Sequence, residues 1–158
     1  MYMFSMIEEK LSSIGIKLSS PPKPIGSYVP VVQSGNLIFI SGQIPLVKGT
    51  LPENYKGKVP SKVSIIDAVQ ASRQCTINGL EQINKFLGNL ERVSKIIKIT
   101  GFVNCDPSFK DHPKVINGTS DLLLEIFGEK GKHTRVAIGT NSLPLDSVVE
   151  VDMLCEVK

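Results

Sequence analysis

The sequence contains no tryptophan, only two histidines and three cysteines, and its net charge at neutral pH is only +3. Its lysines and arginines are scattered, and no segment alternates them with aromatic residues. Nucleic-acid binding therefore gets no electrostatic support from the sequence. No apolar run approaches the roughly 18 residues that a membrane-spanning helix needs. What remains is the composition of an ordinary globular protein without a membrane partner.

The three cysteines, Cys75, Cys105 and Cys155, are far apart and belong to no CxxC or Cys/His pattern. They are therefore interpreted as reduced, mostly buried thiols, and no metal site is expected. The N-terminal stretch "MYMFSMIEEK" lacks both a basic start and a long apolar core, so it does not resemble a secretory signal. We expect a cytoplasmic protein.

At 158 residues the chain fits one domain, residues 1–158, in which residues 1–18 form an N-terminal helical extension. The stretch "SMIEEKLSSIGIKL" predicts a short helix that ends near Gly15. Two apolar runs flank Ser34-Gly35-Asn36 in "YVPVVQSGNLIFISG", a pattern typical of a β-hairpin.

A long helix is predicted from Ser64, a candidate N-cap with Asp67 three residues on, to Gly88. The β-branched stretch "RVSKIIKITGFVN" predicts a strand. After a turn in "HPKVINGT", a second helix is expected over roughly Ser120 to Phe127, and "TRVAIGTNSLPLDSVVEVD" supplies the last two strands. This order predicts an α+β domain whose sheet carries two helices on one face.

The strand in "NLIFISG" is apolar on both faces, because Leu37 and Phe39 point one way while Ile38 and Ile40 point the other. Only one face has helices to cover it. The other face is expected to meet a partner subunit, since large exposed apolar patches usually mark interfaces. The sequence therefore predicts a homo-oligomer.

Two charges, Arg135 and Glu150, interrupt the apolar pattern of the last two strands. If these strands form an antiparallel hairpin in which Val136 pairs with Val149, both facing the core, Arg135 lies opposite Glu150 on the other face. Such a pair is often a plain surface ion pair worth roughly 0–1 kcal/mol. The alternative is a site.

Small neighbours on the face of Arg135, Ala137 and Gly139, favour the site because they leave space above the strand. An arginine fork suits a carboxylate ligand, and a nearby acid such as Glu150 can position a water molecule. Asp152, two residues further along that face, is the reserve candidate for handling water.

Three stretches together resemble the Rid/YjgF family of reactive intermediate deaminases, also known as endoribonuclease L-PSP or translation-inhibitor proteins. They are "YVPVVQSGNLIFISGQIPLVKG", "FVN…F…VINGTSDLLLEIFGEKGKHTR" and the final "R-x8-P…VVEVD". The resemblance spans about residues 19–157. It implies a chorismate-mutase-like fold and a homotrimer with clefts between subunits. It also implies hydrolysis of enamines and imines to 2-keto acids and ammonia, without metal or organic cofactor.

The same resemblance implies roles for individual residues. Arg135 matches the family's carboxylate-binding arginine, and Glu150 matches the acid proposed to place the attacking water. The remaining matches are expected to bind substrate: Tyr28 lines the cleft, Ser41 and Gly42 form a backbone-contact loop, and Asn117 is a pocket asparagine. Where the family's deaminases read Arg-Ser-Cys, this chain reads Arg135-Val136-Ala137, so a backbone amide at Ala137 takes the place of the pocket cysteine.

Two other functions stay open. An endoribonuclease or translation inhibitor acting on RNA would need an acid/base pair, for which His112 and His133 are the minimum. Both are interpreted as solvated loop residues. The second alternative is a non-catalytic trimer that binds small carboxylates, which the absence of the cysteine at Ala137 favours.

Overall fold

The computed structural model describes residues 5–24 and 26–158, so residues 1–4 of the predicted N-terminal extension lie outside the described residues. In chain order the elements are α1 (Met6–Ser13), β1 (Val31–Ser34), β2 (Leu37–Gln43), α2 (Ile65–Leu87), β3 (Val93–Asn104), α3 (His112–Phe127), β4 (Thr134–Thr140) and β5 (Val149–Val157). The five strands form one mixed sheet in the order β1-β2-β5-β3-β4. Within the described ranges, no helix is long and apolar enough to cross a bilayer.

Local signals placed the first elements correctly. Helix α1 starts in a capping box between Ser5 and Glu8, and β1 and β2 form the predicted hairpin, with Ser34 paired to Leu37. The Ser64 hydroxyl accepts a hydrogen bond from the amide of Asp67 at 3.0 Å and caps α2. That helix ends where glycine adopts the left-handed conformation, at Gly88 with φ 87°.

Helix α3 starts at His112, eight residues before the predicted start. Proline and Asn-Gly in "HPKVINGT" suggest a turn, but Pro113 lies in the first helical turn, where its missing N–H costs nothing. Gly118 is required inside the helix because α2 approaches closely: a Cβ there would lie 2.6 Å from the Ser72 hydroxyl and overlap the Val69 carbonyl. The packing of α2 against α3 therefore requires a residue without a side chain at position 118.

The predicted hairpin of the last two strands is wrong. Strand β4 pairs with β3 in parallel, whereas β5 is antiparallel to both β2 and β3 and lies between them. Two backbone hydrogen bonds show how the connection passes the end of β3: the Cys105 amide donates to Thr140 and the Asn104 amide donates to Val148. The chain thus crosses from one side of β3 to the other instead of turning back on itself.

Helices α2 and α3 cover one face of the sheet, as predicted. Gly79 of α2 lies against Met153 of β5, and Ile116 of α3 lies against Gly101 of β3. The N-terminal helix α1 is a third helix and buries Ile7 and Leu11. The opposite face of the sheet, called the open face below, leaves large apolar side chains 41–51% exposed, namely Val32, Phe39, Val136 and Ile138.

Candidate active site

The structure separates Arg135 from Glu150. Arg135 on β4 pairs with Ile99, and Glu150 on β5 pairs with Phe102, so strand β3 lies between them. Two strand spacings amount to about 10 Å. The faces differ as well: Arg135 points to the helix side, while Val136, expected in the core, lies on the open face and is 41% exposed. The predicted register fails because β4 pairs with β3 and not with β5, so Val136 and Val149 are not partners.

Arg135 projects from β4 onto α3. Its Nη1 donates to Asn117 Oδ1 at 2.8 Å and to Ser120 Oγ at 3.1 Å, and its Nη2 donates to the Pro113 carbonyl at 3.3 Å. All three acceptors belong to α3, and Pro113 and Asn117 lie before its predicted start, which is why the early start of that helix matters. The structure thus brings together two predicted site residues, Arg135 and Asn117.

The partners of Arg135 are neutral. No carboxylate of residues 5–24 and 26–158 forms an ion pair with its guanidinium. A guanidinium carries five N–H donors, and the three contacts leave the Nε–H and one N–H of Nη2 without an acceptor in that part of the chain. A half-buried cation held by neutral oxygens keeps its full charge and remains able to bind an anion.

His133, interpreted from the sequence as a solvated loop residue, is part of the same cluster. It is half-buried, its Nδ1 lies 2.6 Å from the Gly131 carbonyl, and its Nε2 lies 2.8 Å from Ser120 Oγ. Ser120 is therefore a shared contact of His133 and Arg135. No local sequence pattern predicts this contact, because Ser120 of α3 and His133, which precedes β4, are 13 residues apart. Arg135, Asn117, Ser120 and His133 are called the Arg135 group below.

The same face of β4 continues from Arg135 through Ala137 to Gly139. At its far end a Cβ on Gly139 would lie 2.6 Å from His112 Nε2 and 2.8 Å from Cys105 Sγ. His112, in contrast to His133, is not a loop residue, since it opens α3 and lies 3.4 Å from that thiol. The predicted space above the strand is therefore filled at Gly139, where His112 and Cys105 occupy it. Ala137 lies between these side chains and Arg135 on the same face.

Glu150 is held in a different place, where β2 bulges against β5. Gly42 lies directly under its carboxylate, and a Cβ at that position would overlap the Glu150 side chain. The Ser41 hydroxyl donates to the Val29 carbonyl at 2.8 Å, and its amide donates to Pro30. These bonds fix the segment that carries Tyr28, whose ring is half exposed. Glu150, Gly42, Ser41 and Tyr28 are called the Glu150 group below.

Burial raises the pKa of the Glu150 carboxyl, and the neighbouring carboxylate of Asp152 raises it further. Both causes disfavour the charged form. No lysine, arginine or histidine of the described ranges forms an ion pair with it. A carboxyl group of this kind exchanges a proton more readily near neutral pH than an exposed glutamate does.

A shallow depression of about 370 Å³ lies on the open face beside the Glu150 group. Its lining includes Phe39, Ser41, Thr100 and Asp152 but not Arg135. The predicted site residues therefore form two separate groups in one copy of the chain: a cation-bearing group on the helix side of β4 and an acid-bearing group at the β2–β5 bulge.

Comparison with known proteins gives a consistent match along the whole chain. A model of the family described as "YjgF/chorismate mutase-like, putative endoribonuclease" matches residues 8–157. Protein TCP17 of Trypanosoma cruzi is 37% identical over 152 residues, which cover 96% of this chain and 94% of that protein.

Solved structures agree with this. A protein of unknown function from Agrobacterium tumefaciens is 36% identical, with a TM-score of 0.90 and coverage of 97% of this chain and 93% of the other. A candidate endoribonuclease from Shewanella oneidensis is 33% identical, with a TM-score of 0.91 and coverage of 96% and 99%.

More distant relatives carry names that bear on chemistry. A 2-iminobutanoate/2-iminopropanoate deaminase of Dermatophagoides farinae is 23% identical over 143 residues, covering 89% of this chain and 95% of that protein. Escherichia coli TdcF, solved with bound serine, is 26% identical, with a TM-score of 0.59 and coverage of 88% and 94%.

Proposed function

Because this chain belongs to the YjgF/chorismate mutase-like family, we propose that it hydrolyses reactive imines of 2-keto acids, and their enamine precursors, to the keto acid and ammonia. The observation that carries the proposal is the Arg135 guanidinium, which is half-buried, held by three neutral oxygens and paired with no acid of the described residues. Such a cation fits the carboxylate that every imine of this class bears. The deaminase and the serine-bound relative both point to small carboxylate-bearing ligands.

The chemistry needs an anchor, a polarised carbon–nitrogen bond and a placed water. Arg135 binds the carboxylate and stabilises negative charge near the reacting carbon. Water then adds to the imine carbon, forming a carbon–oxygen bond, while Glu150 takes one proton from it. Return of that proton to the nitrogen gives a neutral carbinolamine. Transfer of the carbinol hydroxyl proton to the nitrogen through Glu150 then lets the carbonyl form as the carbon–nitrogen bond breaks, and ammonia leaves. No covalent intermediate with the chain is required, because imines hydrolyse readily once oriented.

The complete site is proposed to form between copies of the chain. Arg135 and Glu150 lie on opposite faces, two strand spacings apart, and their partners Ile99 and Phe102 are three residues apart along β3, so one copy does not join them. The open face carries the exposed apolar residues Val32, Phe39, Val136 and Ile138, which a second copy would bury. A closed trimer places the Arg135 group of one copy beside the Glu150 group of the next at each cleft. Analytical ultracentrifugation is expected to show a trimer, and a monomer at micromolar concentration would contradict this assembly.

A coupled assay tests the function directly. An amino-acid oxidase generates imines from several amino acids in turn, and semicarbazide trapping reports the imine that survives. The wild-type protein is expected to accelerate disappearance of at least the small aliphatic imines, and Arg135→Ala is expected not to. Wild-type protein that accelerates no imine would refute the deaminase proposal.

An endoribonuclease is the second candidate, and the description of the family and of the Shewanella relative favours it. RNA cleavage would place acid/base work on His112 or His133. However, both rings are already engaged, with Cys105 and Ser120 respectively. Extensively purified protein should be assayed on single-stranded RNA beside His133→Gln. Cleavage that survives purification and is lost in this variant would favour the nuclease.

A non-catalytic carboxylate-binding oligomer is the remaining alternative. Such a protein would bind carboxylates at Arg135, as the deaminase would, but it would not hydrolyse imines. Calorimetry with 2-oxobutanoate separates the two: binding that depends on Arg135, without acceleration of any imine, would favour the binding protein.

A further inference from the structure

The two nitrogens of the His133 ring have different partners, and these partners fix its tautomer. The Gly131 carbonyl can only accept a hydrogen bond, so the Nδ1 atom 2.6 Å away carries the hydrogen. In the neutral ring, Nε2 is then an acceptor, and the Ser120 hydroxyl 2.8 Å away donates to it. Because its hydrogen points to His133 Nε2, Ser120 Oγ accepts the hydrogen bond from Arg135 Nη1 at 3.1 Å. The hydrogen bonds therefore all run in one direction, from Arg135 through Ser120 and His133 to the backbone.

We propose that His133 and Ser120 are positioning residues that hold the Arg135 guanidinium in its carboxylate-binding orientation. This inference rests on the proposed function, because it assigns the two residues to the anchor of that same site. Neither residue contacts the reacting atoms. Their effect passes through Arg135.

The histidine is needed because a serine hydroxyl inside a helix has another partner available. A serine in a helix can donate to the carbonyl four residues earlier, which for Ser120 is the carbonyl of Ile116. An acceptor at His133 draws the hydrogen away from the helix backbone and leaves the oxygen facing Arg135. Ser120 is buried, with an exposed fraction of 8%, so water is a poor substitute for that acceptor.

The far end of the hydrogen-bond chain is anchored by packing. Gly131 fits so closely against α3 that a Cβ there would lie 2.8 Å from the Leu123 carbonyl carbon and 3.1 Å from the Cα of Leu124. Its carbonyl therefore has a fixed place relative to the helix that carries Ser120. Helix α3 thus holds the guanidinium directly, through Asn117 and Pro113, and indirectly, through Gly131 and His133.

Neutral partners have a specific advantage here. An aspartate or glutamate in the place of Ser120 would orient the guanidinium equally well but would also neutralise it and compete with the substrate carboxylate. A serine whose hydrogen is directed to a neutral imidazole orients Arg135 while leaving its charge for the ligand. The Arg135 guanidinium is thus oriented without being neutralised.

Kinetics of three variants test the role. His133→Phe and Ser120→Ala are expected to raise KM for a carboxylate-bearing imine by about 5- to 20-fold, with kcat within about 3-fold of wild type. His133→Gln, whose side-chain oxygen can replace Nε2 as the acceptor, is expected to recover most of that loss. The matched control is His112→Gln, because the other histidine contacts Cys105 and Phe109 rather than Ser120 or Arg135. Unchanged KM in both His133→Phe and Ser120→Ala would overturn the proposal, as would a uniform loss in all variants with lowered thermal stability.

A second measurement does not depend on activity. With only two histidines in the chain, 15N NMR of the imidazole nitrogens needs one variant for assignment, His112→Gln. His133 is expected to carry its hydrogen on Nδ1, and Ser120→Ala is expected to shift its Nε2 signal. A hydrogen on Nε2 in the neutral ring would overturn the proposed network. The two failures are distinguishable: no imine turnover by wild type removes the proposed function, whereas Arg135-dependent turnover with an Nε2–H tautomer removes only the positioning role.

Discussion

Arg135 and Glu150 are both half-buried charged residues on one sheet, and their surroundings differ. Arg135 on the helix side of β4 is held by three neutral oxygens, whereas Glu150 lies over Gly42 beside a second acid, Asp152, and its pKa is raised. Among the described residues, neither Arg135 nor Glu150 forms an ion pair. The proposed assembly would let each group receive the opposite charge from a second copy.

The difference also concerns how each charge is placed. The Arg135 group is built on regular elements, with side chains from α3 and β4 directed at one guanidinium. The Glu150 group depends on an irregularity, the bulge between Ile40 and Gln43 that lets β5 meet a backbone without a side chain at Gly42. In the proposed function, the group built on regular elements binds the substrate and the group at the bulge handles protons.

Removal of the Arg135 cation is expected to have the largest effect on activity. Arg135→Ala is expected to lower kcat/KM for 2-iminopropanoate by about 10³-fold, and Arg135→Lys should restore little because the planar fork is lost. Arg73→Ala is the matched control, since Arg73 forms only a surface contact with Glu125. Wild-type-like kinetics of Arg135→Ala would remove the anchor role.

Glu150→Gln is expected to lower kcat by roughly 10- to 100-fold while KM changes little, because the water loses its acceptor but the anchor remains. The control is Glu156→Gln on the same face of β5, where the carboxylate only accepts a hydrogen bond from Asn36.

Mixing the two impaired variants tests whether their residues meet between copies. Co-refolded Arg135→Ala and Glu150→Gln chains are expected to regain about one quarter of the wild-type sites, because random assembly gives each cleft both native residues that often. Mixtures no more active than their separate components would show that Arg135 and Glu150 of different copies do not meet.

Gly42→Ala should disturb the acid-bearing half alone. The backbone at Gly42 is one that alanine can adopt, but the added methyl group overlaps the Glu150 carboxylate and must displace it. We expect kcat to fall by about 3- to 10-fold, with carboxylate binding, measured by calorimetry with 2-oxobutanoate, unchanged. Weakened binding instead would mean that the two groups are not independent.

The smallest expected effect is a shift in pH dependence. In the proposed mechanism, activity requires ionised Glu150. Because the pKa of this carboxyl is raised, kcat should decline on acidification at a higher pH than an ordinary glutamate would give. Asp152→Asn removes the neighbouring negative charge, so this decline should move to lower pH. It should stay above the usual range, because burial, the larger cause, remains. A decline that does not move would mean that another group controls it.

Much of this fold could be predicted from local sequence. The helix cap at Ser64, the stop at Gly88 and the hairpin at Ser34–Leu37 depend on short-range chemistry, and the structure confirms each of them. The alternation in β2 also identified an apolar face that the helices leave uncovered. Arg135 and Glu150 stood out as charges in apolar strands, and the other candidates came from the resemblance. The structure adds two contacts among them that were not predicted, Arg135 with Asn117 and Glu150 with Gly42.

The predictions that failed share one cause: the residues involved contact partners that are distant along the chain. Strand β4 looked like one arm of a hairpin because β5 follows it closely, but hydrogen bonding to β3 decided its neighbour and its direction. The start of α3 was missed because Gly118 looked like a turn residue until α2 was packed against it. His133 does lie in a loop, but it was not expected to be half-buried, because its partner Ser120 is 13 positions away.

By itself, the sequence determined the local elements and the kinds of chemistry present, because capping, turns and apolar alternation act over a few residues. Only the tertiary structure decided which side of the sheet each charge occupies. Strand order and register depend on the sum of many packing contacts, and a shift of one residue reverses every side chain of a strand. For that reason Arg135 and Glu150 are not the cross-strand pair that the sequence predicts. They belong to two separate groups, with strand β3 between them.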